Sequence, residues 1–185
     1  MTGIYLARHG QSVYNEQGIA QGQNDPDLTA LGCVQAFDLG ELLKEINFRH
    51  AYASDLKRAV QSFEHFISAY GRPLAIESCP ELRERHFGQA QGRYNKDIGL
   101  TDENEQEFYA LEGGVFTGGE SIGIVRKRVS QKIIEIAEQP GPIIVIGHGW
   151  AISYTLNELL GQGNIVHPMD NSHFHYLNFE GPKLK

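Results

Sequence analysis

The chain has 185 residues, enough for one domain with its own hydrophobic core, and we expect residues 1–185 to form that domain. Its formal net charge of −7 argues against nucleic acid or an anionic membrane as a partner, and no apolar stretch approaches the roughly 18 residues of a membrane span. The two scattered cysteines, Cys33 and Cys79, are too few for a disulfide framework, and no secretory leader is recognisable, so we expect a cytoplasmic protein with free thiols.

Short β-rich runs alternate with longer segments of helical period, which is typical of an α/β domain with a largely parallel sheet. The predicted strands are residues 4–7, 50–54, 74–78, 143–146 and 174–179. The predicted helices are residues 30–47, 56–70, 120–139 and 151–160. Thr29 is the predicted N-cap of the first helix, whose buried face is expected to consist of Leu31, Ala36, Leu39, Leu42, Leu43 and Ile46.

A polar segment separates the third predicted strand from the longest helix. It becomes glycine-rich near its end, and we interpret residues 90–119 as a lid or excursion from the domain.

Cationic or histidine side chains follow three of the predicted strands. The first strand leads into Arg8 and His9, the second is followed by Arg58, and the fourth leads into His148 between two glycines. Ligands of open α/β sheets bind at the carboxyl ends of the strands, so these groups are expected to meet in one anion site suited to a phosphoryl group. The alternative is that each is a structural histidine or a solvated arginine.

Several motifs extend this pattern in order along nearly the whole chain. They are Arg8-His9-Gly10-Gln11-Ser12-x-x-Asn15, Gln21-Gly22, Leu28-Thr29-x-x-Gly32, Ser54-Asp55-Leu56-x-Arg58-Ala59, Leu82-Arg83-Glu84-Arg85-His86-Phe87-Gly88, Gly119-Glu120-Ser121 and Gly147-His148-Gly149. Together they resemble the histidine phosphatase superfamily, which includes cofactor-dependent phosphoglycerate mutases. The resemblance implies a three-layer α/β/α fold, with a mostly parallel central sheet and helices on both faces.

The resemblance also implies roles for individual residues. His9 would be the nucleophile that becomes phosphorylated, and Glu84 would be the acid and base. The groups that hold the transferred phosphoryl group would be Arg8, Arg58 and His148. The expected substrate-binding residues are Asn15, which would contact the phosphoryl group, Gln21 and Gly22 near the substrate mouth, and Arg85, which could bind a second anionic group. Without the resemblance, Glu84 reads as an exposed carboxylate paired with a neighbouring arginine.

The expected reaction is hydrolysis of a phosphate monoester, with no metal or cofactor. Between Lys96 and Arg126 the sequence has no lysine or arginine but several carboxylates, a balance ill-suited to a lid that clamps a bisphosphate and excludes water. The alternatives are phosphoryl transfer of the phosphoglycerate mutase type and a non-catalytic module that binds a phospho-ligand or a protein. The expected substrate is a small phosphorylated metabolite, with a phosphoprotein as the alternative, and the oligomeric state is not readable.

Overall fold

A computed structural model describes residues 1–101, 116–162 and 169–185 of the chain. The described strands are β1 (Thr2–Arg8), β2 (His50–Ala53), β3 (Ile76–Ser78), β4 (Ile143–Gly147), β5 (Phe174–Glu180) and β6 (Lys183–Leu184). The described α-helices are α1 (Val13–Gln17), α2 (Ala30–Leu42), α3 (Lys57–Tyr70), α4 (Ile122–Ala137) and α5 (Gly149–Leu159). Three 3₁₀ turns lie at Pro80–Leu82, Gly88–Ala90 and Asn95–Ile98.

The described strands form one twisted layer in the order β3-β2-β4-β1-β5-β6. Strands β3, β2, β4 and β1 are parallel, whereas β5 runs antiparallel to β1 and β6 antiparallel to β5. Arg8 pairs with Gly147 across β1 and β4, and Ala53 pairs with Ile146 across β2 and β4. The carboxyl ends of three parallel strands therefore meet at one edge, which brings together the segments that carry Arg8, Arg58 and His148.

Helices cover both faces of the sheet, so the predicted α/β architecture is confirmed. On one face, apolar side chains of α4 and α5 pack with those of β1 and β4. On the other face, α2 and α3 pack against β2 and the opposite sides of β1 and β4. Because the parallel strands are covered twice, β4 is buried along its whole length.

Helix α2 departs from its predicted buried face. Thr29 does cap it, since its Oγ1 accepts a hydrogen bond from the N–H of Gly32 at 3.0 Å. Leu31 and Leu42, however, are 52% and 70% exposed, so their placement on the buried face was wrong. The side of α2 that faces α3 carries Gly40 instead. The two helices approach closely there, since a Cβ at Gly40 would lie 2.3 Å from the carbonyl oxygen of Phe66. The helix packs on α3 through small residues, and the pattern of large apolar side chains therefore does not indicate this face.

Other element boundaries shift by a few residues. Helix α2 ends at Leu42 rather than near residue 47, β3 begins at Ile76 rather than at residue 74, and α4 is shorter than predicted at both ends. Helix α1 and strand β6 were not predicted. Helix α1 is short but firmly capped, because Ser12 and Asn15 form a reciprocal capping box at its N-terminus.

Only the borders of the expected excursion at residues 90–119 can be compared with the structure, since residues 102–115 lie outside the described residues. The described part contributes a small apolar cluster beside the sheet: Ala20, Phe87, Ala90 and Leu100, with Ile98, Phe116 and Trp150 packed against it. No helix in the described ranges is long and apolar enough to cross a membrane.

The loop after β1 rests directly on the first turn of α2. A Cβ at Gly10 would lie 2.2 Å from the carbonyl oxygen of Gly32, and a Cβ at Gly32 would lie 2.0 Å from that of Gln11. Backbone therefore meets backbone, and neither glycine has room for a side chain.

We expect Gly32→Ala to lower the free energy of unfolding by about 1–3 kcal/mol, the usual cost of overpacking. Urea unfolding followed by circular dichroism measures this change. Gly123→Ala is the matched control, since a Cβ there has no contact closer than 3.9 Å, to Ser121 Oγ. Equal unfolding curves for both variants would show that α2 moves away without cost.

Candidate active site

Two buried imidazoles face each other where β1 and β4 end. The ring centroids of His9 and His148 are 5.1 Å apart, and both side chains are buried. The guanidinium of Arg58, from the first turn of α3, reaches the same point and donates from Nε to His9 Nε2 at 3.2 Å. The predicted convergence of these three residues is therefore what the structure describes.

The hydrogen bonds of His9 define its tautomer. His9 Nδ1 lies 2.6 Å from the carbonyl oxygen of Gly10. Because a carbonyl oxygen only accepts, Nδ1 carries the proton, and Nε2 of the neutral ring keeps its lone pair. The N–H of Arg58 points at that lone pair. His9 is thus held with an unprotonated Nε2 directed into the site.

Burial and positive charge keep His9 neutral. Burial is the largest cause that lowers its pKa well below the usual 6.5, followed by the charges of Arg58 and Arg8. Below about pH 6.5 the unfolded chain would bind a proton here that the folded chain does not bind. The folded state therefore loses stability as the pH falls below that value.

Arg58 is fixed by backbone carbonyl groups. Its Nη1 donates to the carbonyl of Asn24 at 2.7 Å, and its Nη2 donates to the carbonyl of Gly22 at 2.8 Å. Burial lowers the pKa of Arg58 to about 10, while the nearby Glu84 carboxylate acts in the opposite direction. Gly22, expected to contact substrate, instead supplies this carbonyl from a left-handed conformation, with φ at 52°.

His148 is a buried imidazole whose two ring nitrogens have no hydrogen-bond partner within the described part of the chain. Burial lowers its pKa well below 6.5, and Arg58, His9 and Arg8 lower it further. Buried polar atoms without partners are rare in folded proteins and point to a ligand. The position of His148 opposite His9 suits a group bound between the two rings.

The side chain of Glu84 lies against the N-terminus of α5, the helix that begins immediately after His148. Its Oε1 accepts hydrogen bonds from the N–H groups of Ala151 at 2.9 Å and Arg85 at 2.8 Å, and its Oε2 accepts from Trp150 N–H at 3.1 Å. The free N–H groups of the helix start thus find acceptors in the two oxygens of Glu84. Glu84 is buried and held by backbone, which contradicts the alternative of an exposed carboxylate paired with an arginine.

Arg8 lies beside the same helix start. Its Nη1 donates to the carbonyl of Met169. A Cβ at Gly149 would lie 3.3 Å from Arg8 Nε and 3.4 Å from Arg8 Cζ, so the glycine after His148 leaves space for the guanidinium. The neighbouring Gly147 is less constrained, since the nearest atoms to a Cβ there are 3.7 Å away.

The other predicted substrate-binding residues form hydrogen bonds within the protein. Asn15 Oδ1 accepts from the N–H of Ser12, and the hydroxyl of Ser12 donates to Gln21 Oε1 at 2.6 Å. Arg85 donates from Nε to the carbonyl of Glu120 and from Nη1 to the hydroxyl of Tyr154. These contacts are within the protein, and a role in substrate binding stays a prediction for Asn15, Gln21 and Arg85.

Two supporting residues escaped the sequence reasoning. Asn171 donates from Nδ2 to the carbonyl of His9 at 2.9 Å. Ser62 accepts from the N–H of Gly10 at 2.9 Å and donates to the carbonyl of Arg58 at 2.6 Å. Each of the two residues therefore contacts the backbone of the loop after β1. Ser62 lies one helical turn after Arg58, and that spacing is the one signal in the sequence that suggests it.

A match to known proteins extends over nearly the whole chain. The sequence model of the histidine phosphatase superfamily (branch 1) matches residues 4–182. The chain belongs to the histidine phosphatase superfamily. Within it, a probable phosphoglycerate mutase of Erwinia tasmaniensis is 32% identical over 168 residues, which cover 87% of this chain and 76% of that protein.

Solved structures of the histidine phosphatase superfamily share the fold. The phosphoglycerate mutase of Bacillus anthracis strain Sterne has a TM-score of 0.87 at 23% identity, covering 100% of this chain and 90% of that chain. A mycobacterial glucosyl-3-phosphoglycerate phosphatase has a TM-score of 0.82 at 25% identity, covering 98% of this chain and 92% of that chain. The likeness thus extends to proteins named as mutases and to proteins named as phosphatases.

We expect the rings of His9 and His148 to stay neutral throughout the range from about pH 6 to 8, in which an ordinary histidine titrates. Long-range ¹H–¹⁵N spectra of the imidazoles measure this, and should show the His9 proton on Nδ1. The variants His9→Asn and His148→Asn assign the signals. A His9 ring that takes up a proton near pH 6.5 would contradict the assigned environment.

Proposed function

We propose that this protein is a metal-independent phosphomonoesterase that works through a phosphohistidine on His9. The observation that carries the proposal is the geometry of His9: Nδ1–H is held by the Gly10 carbonyl, Nε2 accepts from Arg58, and the centroid of the His148 ring lies 5.1 Å from that of His9. Phosphoryl transfer needs a positioned nucleophile and positive charge around the phosphoryl oxygens, and these residues supply both.

In the first step, Arg58 Nε–H turns from His9 Nε2 to a phosphoryl oxygen, and the freed Nε2 lone pair forms a bond to phosphorus while the bond between phosphorus and the ester oxygen breaks. The leaving oxygen keeps the electron pair and takes a proton from Glu84. The phosphoryl oxygens bind Arg8, Arg58 and His148. General acid help of this kind is worth roughly 10²–10⁴-fold.

In the second step, a water oxygen attacks phosphorus, and the Glu84 carboxylate takes the proton of that water. The bond between Nε2 and phosphorus breaks, and its electrons return to His9. Inorganic phosphate leaves, and Glu84 is again protonated for the next cycle. Arginine charge around the site is enough for this scheme, which uses no metal.

The arginines on either side of Glu84 are bound to other groups of the protein, which favours release to water over transfer to a second acidic substrate. Arg83 forms a two-point ion pair with the carboxylate of Asp55, which lowers the pKa of Asp55 through the Arg83 hydrogen bond. Arg85 is bound to Glu120 and Tyr154. Neither arginine is left to bind the second acidic group of a bisphosphate, and we therefore propose a small phosphate monoester as the substrate. We propose that the reaction takes place in the cytoplasm.

A mutase is the second candidate function, and the relative in Erwinia tasmaniensis favours it by name. Phosphoryl transfer between the hydroxyls of a phosphoglycerate would use the same His9 and Glu84. It would differ in the fate of the phosphoryl group, and therefore in its need for a bisphosphoglycerate primer.

We expect His9→Ala to abolish hydrolysis of p-nitrophenyl phosphate and formation of an acid-labile phosphoenzyme, because no nucleophile remains. His65→Ala on α3, outside the site, is the matched control and should keep wild-type rates. The assay contains EDTA and no bisphosphoglycerate. Phosphate release that persists in His9→Ala would sink the proposal, and a wild type that only interconverts phosphoglycerates with a primer would identify a mutase.

We expect Glu84→Gln to slow turnover of p-methoxyphenyl phosphate, which has a poor leaving group, by roughly 10²–10⁴-fold. The amide oxygen still accepts from Arg85 and Ala151, so circular dichroism and the thermal midpoint should change little. Glu81→Gln removes an exposed carboxylate from the same segment and is the control. A Glu84→Gln enzyme as fast as Glu81→Gln would remove Glu84 from the mechanism.

A further inference from the structure

The segment that carries Glu84 is held by one side chain of α4. Arg128 donates from Nη1 to the carbonyls of Glu81 and Arg83, both at 2.8 Å, and from Nη2 to the carbonyl of Glu84 at 3.2 Å. Residues 83–87 belong to no helix or strand. Their backbone therefore lacks the regular hydrogen bonds of such elements, and the guanidinium supplies replacements.

Glu120 completes this arrangement from the residue before the N-cap of α4. Its Oε1 accepts from Arg128 Nε at 3.0 Å, and its Oε2 accepts from Arg128 Nη2 and from His86 N–H, both at 2.8 Å. The N–H of Glu120 donates to the carbonyl of His86 at 2.8 Å. Burial acts to raise the pKa of Glu120, but the hydrogen bonds from Arg128 and His86 outweigh it and keep the pKa below its usual value.

All five N–H donors of Arg128 are used, three toward the backbone of residues 81–84 and two toward Glu120. Such a fork matches the planar shape of a guanidinium, and the single ammonium of a lysine cannot reproduce it. Both side chains are only about one-fifth exposed, so solvent screens the pair less than a surface ion pair.

We propose that Arg128 and Glu120 are positioning residues for the acid–base step, which rests on the proposed function of Glu84. They fix the backbone on both sides of Glu84, so that its carboxyl group remains against the N–H groups of Trp150 and Ala151, next to His148. Neither residue touches the reacting atoms. Their effect is on the reach of Glu84 to the leaving oxygen, and His9 and Arg58 are held by other contacts.

This role predicts a dependence on the leaving group. A displaced Glu84 no longer protonates a poor leaving group, whereas a good leaving group departs without that proton. We compare kcat/KM, which reports phosphorylation of His9, for p-methoxyphenyl phosphate and p-nitrophenyl phosphate. In Arg128→Lys and Glu120→Gln, kcat/KM should fall at least about tenfold more for p-methoxyphenyl phosphate than for p-nitrophenyl phosphate.

Lys132→Met is the matched control, because it removes an ion pair on the same helix, with Glu135, away from Glu84. It should leave the ratio of the two kcat/KM values unchanged. Glu120→Gln keeps an acceptor for His86 N–H and serves as the second variant if Arg128→Lys does not fold.

Equal losses on both substrates, or no loss, would overturn the inference while an active wild type and an inactive His9→Ala leave the proposed function intact. A wild type inert toward both esters would overturn the proposed function, and this inference with it. A selective loss for p-methoxyphenyl phosphate in either variant, with the control unchanged, supports the positioning role.

Discussion

The site depends on one contact, the hydrogen bond from Arg58 Nε to His9 Nε2. It places a buried cation against the imidazole of His9, which must stay neutral to serve as the proposed nucleophile. The carbonyl of Gly10 fixes the proton on the far side of the ring, and the carbonyls of Gly22 and Asn24 fix the cation. The loops after β1 and before α2 thus take the conformations that present these oxygens, and the glycines in them make those conformations accessible.

The two classes of arginine in this protein differ in what holds them. Arg58 donates to neutral backbone carbonyls, which orient a guanidinium without cancelling its charge. Arg83 and Arg128 face carboxylates at close range, so their charge is compensated inside the protein. An acidic chain can in this way keep a local positive site. A carboxylate partner, which Arg83 and Arg128 have, thus distinguishes these two arginines from Arg58.

Most of the fold and the central site residues could be predicted from the sequence, because strand ends and ordered motifs are local signals. Arg8, His9, Arg58 and His148 each lie at the end of a strand or shortly after it, and parallel strands end at one edge. Contacts made by backbone were not predictable: Gly22 serves through its carbonyl, and Asn171 reaches His9 from a distant loop. The predicted buried face of α2 was wrong in part because the helix packs on α3 through the glycine at position 40 rather than through large side chains.

The contact between Gly10 and Gly32 also limits how this sequence can drift. The carbonyl oxygen of Gly32 leaves no room for a Cβ at Gly10, and the carbonyl oxygen of Gln11 leaves none at Gly32. Neither position therefore accepts a larger residue unless α2 and the loop that carries His9 shift together. Mutational tolerance along α2 is thereby divided by face. The outer positions, such as Leu31 and Val34, are exposed and are open to exchange. Substitutions on the inner face of the first turn of α2 are accepted only together with changes in the loop that carries His9. The evolution of this helix is therefore coupled to that of the His9 loop.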